Sequence, residues 1–303
     1  MVVCWKRLKS LNLPRHRRYS GRLVRVGQWS LELARAIKMA RLKTFERSIA
    51  GTIVATTVAS LFGLWTPPAA AQDNNALHLF VSNGMKGSME ALRAECEKEV
   101  GRRLAIQFGS TASLKQRIEA GEALDVTIIT IEAIDDLIKK ALLMSPTRTA
   151  IGRSELGVGI RAGASRLDIR SVATFRQALR QAPSITYPQD GASRGYIEHM
   201  FERLGIADDV KAKIILAPGS GAATENVAAG KAAMVLTLFS EIVPTHGVEI
   251  LGPFPGEYQS DIRFGAATSA QSKQAEAARA LIAFLAGPKV TAVLKAKGID
   301  RLR

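Results

Sequence analysis

Cysteine is almost missing from this chain: Cys4 and Cys96 are the two among 303 residues. They flank a leader-like segment, so processing there leaves Cys96 alone and excludes an intramolecular disulfide. Cys96 falls on the apolar face of a helical pattern, where an inert, half-buried thiol is expected rather than a nucleophile. Histidine is as scarce. Beyond the leader there are His78, His199 and His246, widely spaced, with no H-x-x-x-H pair and no cluster with Cys or carboxylates. Metal ligation is left without its usual spacing. No G-x-x-x-x-G-K-[ST] phosphate loop occurs, and no catalytic constellation stands out. The expectation is a protein that is not an enzyme and needs no cofactor.

Long apolar runs are lacking too, with one exception. Arg41, Lys43 and Arg47 precede a charge-free stretch from Ile49 to Trp65, followed by Pro67-Pro68 and Ala69-Ala70-Ala71. This is the layout of a signal peptide with a small-residue cleavage site before Gln72. A retained membrane anchor is the alternative, but the run falls short of the ~20 residues a bilayer span needs. Residues 1–38 are basic without a sustained hydrophobic period. They read either as a nucleic-acid-binding arm or, preferred here, as an over-extended start ahead of an initiator at Met39. Residues 1–71 hold 13 Lys and Arg against 2 acidic residues, so +11 of the chain's +15 lies there and +4 remains beyond. That small surplus gives little reason to invoke nucleic acid. With no second run of spanning length, the processed protein is expected to be soluble and periplasmic.

From residue 77 onward, strand and helix signals alternate. Leu77–Val81, Leu104–Phe108 and Val126–Ile129 read as strands, each followed by a helical pattern, which implies a parallel sheet flanked by helices. Residues 147–163 carry four glycines and two short β-like pieces, and read as a crossover between lobes. The alternation then resumes through strands near 184–187, 213–216 and 232–238. Strand-like segments at 248–251 and 262–267 and two C-terminal helices, split by Gly287-Pro288, return toward the first lobe. The expected fold is α/β and two-lobed, with one solute-binding domain over 72–303. Lobe 1 covers about 77–150 and 252–303, lobe 2 about 151–251, with a ligand cleft between them.

Four polar turns sit where strands end and helices begin: Ser82-Asn83-Gly84, Ser110-Thr111-Ala112-Ser113, Gly191-Ala192-Ser193-Arg194-Gly195 and Gly219-Ser220-Gly221. In parallel α/β sheets these ends face the ligand crevice. Helix starts offer unpaired N–H groups and a positive dipole end, so several of them converging would hold an anion. Taken singly, each turn reads as an ordinary N-cap; all four at equivalent strand ends point to a ligand site. Arg194 is the one cation among them, suited to a carboxylate or to solvent.

The segments LFVSNGMKGSMEAL, FGSTASLKQRIEAGEALDVTI, YPQDGASRGYIEHMFERLGI and NVAAGKAAMVLTLFSEI, in this order, resemble the type II periplasmic solute-binding proteins of ABC importers. The match is to their molybdate-binding-like group, over nearly all of 77–300. The resemblance implies a monomeric two-lobed receptor that captures a small anionic ligand and delivers it to an inner-membrane permease. By position, that group's first serine ligand falls on Gly84, its second on Thr111, its third turn on Ala192 to Gly195, and its tyrosine on Leu238. Two side-chain hydroxyls are thus replaced, while Ser82, Asn83, Ser193 and Arg194 stand nearby. An organic carboxylate is therefore as good a candidate as a molybdate-like oxyanion. A ligand-sensing module for a membrane signalling partner and an enzyme on the same scaffold are the other functions open at this point.

Overall fold

The computed structural model describes residues 75–302; the expected leader and its cleavage site fall outside the described residues. One nine-stranded mixed sheet runs through the molecule. Its first half is built on β1 (Leu77–Ser82), which pairs in parallel with β2 (Leu104–Gly109) and β3 (Val126–Thr130). Beside β3, β9 (Asp261–Thr268) runs antiparallel. In the second half, β7 (Met234–Leu238), β5 (Ile185–Pro188) and β6 (Ile214–Ala217) lie parallel in that spatial order.

The two halves share β4 (Thr149–Arg161), a single 13-residue strand where the sequence suggested two short pieces. Its first part, through Glu155, pairs with β9; from Leu156 onward it pairs with β7 and from Gly157 with β8 (Val248–Pro253). The glycines read as interruptions are points of close approach instead. A Cβ at Gly157 would lie 2.1 Å from Phe239 Cε1, and one at Gly152 2.6 Å from the Asp300 carbonyl oxygen. β8 belongs to the second half, beside β4, rather than returning to β1 and β3.

The helices cover both faces. α1 (Lys86–Val100) buries Met89, Leu92 and Cys96 at helical spacing and stops at Gly101, whose φ of 64° is the left-handed conformation glycine adopts most readily. α2 (Thr111–Glu119) and α3 (Ile131–Lys139) bury Leu114, Ile118, Ile134 and Leu137 in a second apolar cluster with Phe80 and Ile129. α4 (Val172–Gln181) opens on a capping box in which Ser171 and Thr174 exchange side-chain-to-backbone bonds. α5 (Arg194–Arg203), the short α6 (Ala207–Lys211) and α7 (Ser220–Ala228) follow, then the one-turn α8 (Phe239–Ile242). α9 (Ala275–Ala286) packs back onto α1, and α10 (Thr291–Ala296) completes the order. Among the described residues no single helix is long and apolar enough to cross a membrane.

Candidate functional site

The feature that stands out is a cavity of about 560 Å³ bordered from both halves of the sheet. From the first half come Asn83, Lys86 and Gly87, the turn after β1 and the first residues of α1. From the second come Gly219-Ser220-Gly221, at the start of α7 after β6, and Ser240-Glu241, in α8 after β7. A 3-10 turn, Asn83–Met85, runs directly into α1 and takes the Lys86 N–H onto the Asn83 carbonyl, so the helix start on this side lies at Asn83. Neither that turn nor α7 has a side-chain N-cap, and both starts present the positive end of a helix dipole. The Lys86 ammonium adds a mobile cation, 3.9 Å from Glu90 and half exposed. Ser240 Oγ, on a residue 2% exposed, borders this cavity without a hydrogen-bond partner.

Glu241 is the chemically unusual member. The residue is partly buried, and its carboxyl occupies a desolvated position. Thr237 Oγ1 donates to Oε2, and the Ser220 hydroxyl and the Leu238 backbone are further partners. Burial nevertheless holds the carboxyl above the ordinary carboxylate range, against the lowering effect of those donors; Asp190 pushes in the same direction as burial. Among the described residues no Lys, Arg or His forms an ion pair with it. In the sequence Ser240-Glu241 lies inside the segment NVAAGKAAMVLTLFSEI, two residues after Leu238. Nothing in its spacing told that this glutamate would be drawn out of water.

The residues singled out by sequence are divided. Asn83 lines the cavity. Ser82 is buried at the end of β1, and Thr111 Oγ1 donates to its Oγ at 3.5 Å, so the first two turns adjoin. Ser110 is a helix cap: its Oγ accepts from the Ser113 N–H at 3.2 Å, while Ala112 and Ser113 are exposed. Gly84 and Leu238 touch each other, since a Cβ at 84 would lie 3.2 Å from Leu238 Cδ1. The third turn goes elsewhere. Ala192 and Gly195 line a separate cavity with Tyr196, His199 and Tyr258. Arg194 gives Nε to Glu198 at 2.9 Å and Nη1 to the Gln189 carbonyl at 2.8 Å, so two of its donors are spent locally. Ser193 Oγ is buried and unpartnered.

This turn also has the G-x-S-x-G spacing of a hydrolase nucleophile elbow. The elbow needs a serine exposed on a strained turn with a base in reach. Ser193 is 1% exposed, has relaxed helical dihedrals (φ −78°, ψ −17°) and bonds to no histidine. No group of His, Cys and carboxylates suited to a metal occurs among the described residues.

Comparison with known proteins agrees with this architecture. An aconitate isomerase from Pseudomonas sp is 28% identical over 240 residues, covering 77% of this chain and 91% of that protein. The molybdate-binding protein ModA of Azotobacter vinelandii is 24% identical over 238 residues, covering 76% and 92%. The solved structure of the periplasmic molybdate-binding protein from the same organism superposes with a TM-score of 0.65 at 20% identity, over 75% of this chain and 100% of that one. Its likeness fixes the fold as that of the periplasmic binding proteins. The model of the bacterial extracellular solute-binding protein family matches residues 77–300, and the chain belongs to that family.

Proposed function

We propose that this protein is the periplasmic receptor of an ABC importer, capturing a small organic polycarboxylate in the cavity between α1 and α7. The observation that carries this reading is the pair of helix starts without a side-chain cap, the Asn83–Met85 turn leading into α1 and the start of α7, from different halves of the sheet and bordering one cavity. Each such terminus stabilises an anion by about 0.3–1 kcal/mol, and Lys86 supplies the net charge they lack. Asn83, Ser220 and Ser240 give the hydrogen bonds, with Ser82 and Thr111 at the first-half end of the site. Carboxylates fit better than molybdate because the two lost hydroxyl positions are filled by packed carbon. A tetrahedral dianion short of donors pays the desolvation cost without recompense.

Residues 39–71 act as the export signal in this reading, and an inner-membrane permease is the partner. A sensing role would share the ligand and lack the permease, which a pull-down from membranes separates. A second reading comes from the isomerase relative. A carboxyl without a counter-cation beside a polycarboxylate site is placed to move a proton on an allylic carbon.

The test is a thermal-shift and calorimetric screen of the processed protein with citrate, trans-aconitate, molybdate, tungstate and sulfate. Tricarboxylates are expected to raise the melting temperature progressively with concentration. A response to molybdate with none to any carboxylate would overturn the ligand class. Incubation of trans-aconitate in D₂O, followed by NMR, separates the two readings: isomerisation with deuterium uptake marks the enzyme, and unchanged substrate marks the receptor.

A further inference from the structure

An acidic side chain inside an anion site is a physical contradiction unless its charge is removed or used. Glu241 presents that contradiction. It borders the cavity together with Lys86 and the first turn of α7. Its carboxyl is bonded by hydroxyls of Thr237 on β7 and Ser220 on α7, and no cation pairs with it among the described residues. The other titratable groups around it are Lys86 and Glu90 on α1, Glu225 on α7, His246 after α8, and Asp190 after β5. Lys86 is drawn toward Glu90. Asp190 makes a negative charge at Glu241 less favourable.

We propose that Glu241 works as a neutral acid that lends its proton, as a hydrogen bond, to an oxygen of the bound anion, so that capture is coupled to proton uptake. This rests on the anion-receptor reading above and adds the residue that discriminates. A neutral carboxyl bonds through O–H to a carboxylate or oxyanion, whereas an ionised one repels either. Burial, with Asp190, raises the carboxyl's pKa and outweighs the lowering by Thr237, Ser220 and the Leu238 backbone, and an approaching anion raises it further. The coupling predicts that affinity for a fully ionised ligand falls as pH rises through the carboxyl's titration, by up to about tenfold per unit.

The experiment uses the processed protein and E241Q, with citrate, molybdate and sulfate as probes. Infrared spectra of the ligand-free protein at neutral pH should contain a neutral-acid carbonyl band that E241Q lacks. Calorimetry with citrate in two buffers of different ionisation enthalpy, at about pH 8–9 and so above the last citrate ionisation, should show proton uptake. E241Q, a permanent donor of similar shape, should bind citrate with affinity that no longer depends on pH over that range. A second readout needs no ligand. The folded protein holds the proton longer than the unfolded chain, so wild type loses stability as pH rises from the ordinary glutamate value through the folded one. E241Q should melt above wild type at about pH 8, with the gap closing toward about pH 4.

Absence of both the neutral-acid band and the pH-dependent melting gap overturns the proposal, even if citrate binds. Loss of citrate binding in natively folded E241Q at every pH also overturns it, because the ionised carboxylate would then be the recognised group. If the band is present and none of the three probes binds, the anion-receptor reading falls and takes proton lending with it.

Discussion

Gly84 explains why the serine of molybdate-binding relatives cannot simply be restored. A Cβ there would lie 2.4 Å from Phe264 Cζ, and Phe264 is fully buried on β9. Leu238 closes the other side. Phe264 and Leu238 thus form a carbon lid over the end of β1. Gly84→Ser is expected to cost about 1–3 kcal/mol of stability through overpacking, and to gain no molybdate affinity. Urea unfolding with a molybdate titration checks it, and a fully stable variant that binds molybdate would show that the lid gives way. Asp125 is another residue whose role is structural. It accepts from the His78 N–H at 2.9 Å, from Ser272 Oγ at 2.6 Å and from Gln274 Nε2 at 3.2 Å, tying the start of β3 to β1 and to the approach to α9. Cys96 is deeper than the half-buried thiol expected. Burial, with Glu95, Glu97 and Glu99 nearby, pushes it up to about 12, which removes the thiolate and with it the reactivity.

Among the elements, those with a strong period were legible and those defined by their neighbours were not. α1 announced itself through Met89, Leu92 and Cys96 and the stop at Gly101, and α4 through its Ser171 cap. β4 did not, because glycine at 152, 157 and 159 weakens any strand signal. The reason for those glycines lies in other segments. Phe239 and the β8 backbone crowd Gly157, Val235 and Val248 crowd Gly159, and Asp300 and Ile299 crowd Gly152. α8 is four residues long, too short for a helical period, yet it carries Ser240 and Glu241 to the cavity. Its position depends on Phe239 lying against Gly157, which links a backbone contact in β4 to the site. Gly157→Ala is therefore expected to displace α8, lowering the melting temperature and weakening citrate binding together. Gly163→Ala, at a turn with nothing within 4 Å but a φ of 76°, should lower stability alone. Equal loss of ligand affinity in both variants would break the link between β4 and the site.

For the molecule as a whole, the order of elements led to the periplasmic-binding-protein fold, while the make-up of the site required coordinates. Helix starts at 86 and 220 are visible as turn residues, but their meeting at one cavity depends on how the two sheet halves are set about β4. The same setting sent Ala192 and Gly195 to a different cavity. The chain passes between the halves twice, through β4 and through residues 254–260. The two passages are strapped together where β4 exchanges β9 for β7: Arg153 Nη1 meets Asp261 Oδ2 at 2.6 Å, Gln259 Nε2 meets Glu155 at 3.1 Å, and the Leu156 N–H bonds the Ser260 carbonyl at 2.9 Å. If the halves rotate, these two adjacent passages are where the hinge would lie, and the rotation would open or close the cavity. A ligand touching Asn83 and Lys86 on one side and Ser220 and Glu241 on the other contacts both halves only when they are close, so its binding energy favours the closed arrangement. Small-angle scattering should then show a smaller radius of gyration with saturating citrate than without it. Leu156→Pro, which removes the N–H bond to Ser260 at the point of bending, should blunt that compaction if the protein remains folded. A radius unchanged by citrate, at concentrations that calorimetry shows to be saturating, would mean that the cavity binds as a rigid cup and that the paired passages are a spine rather than a hinge.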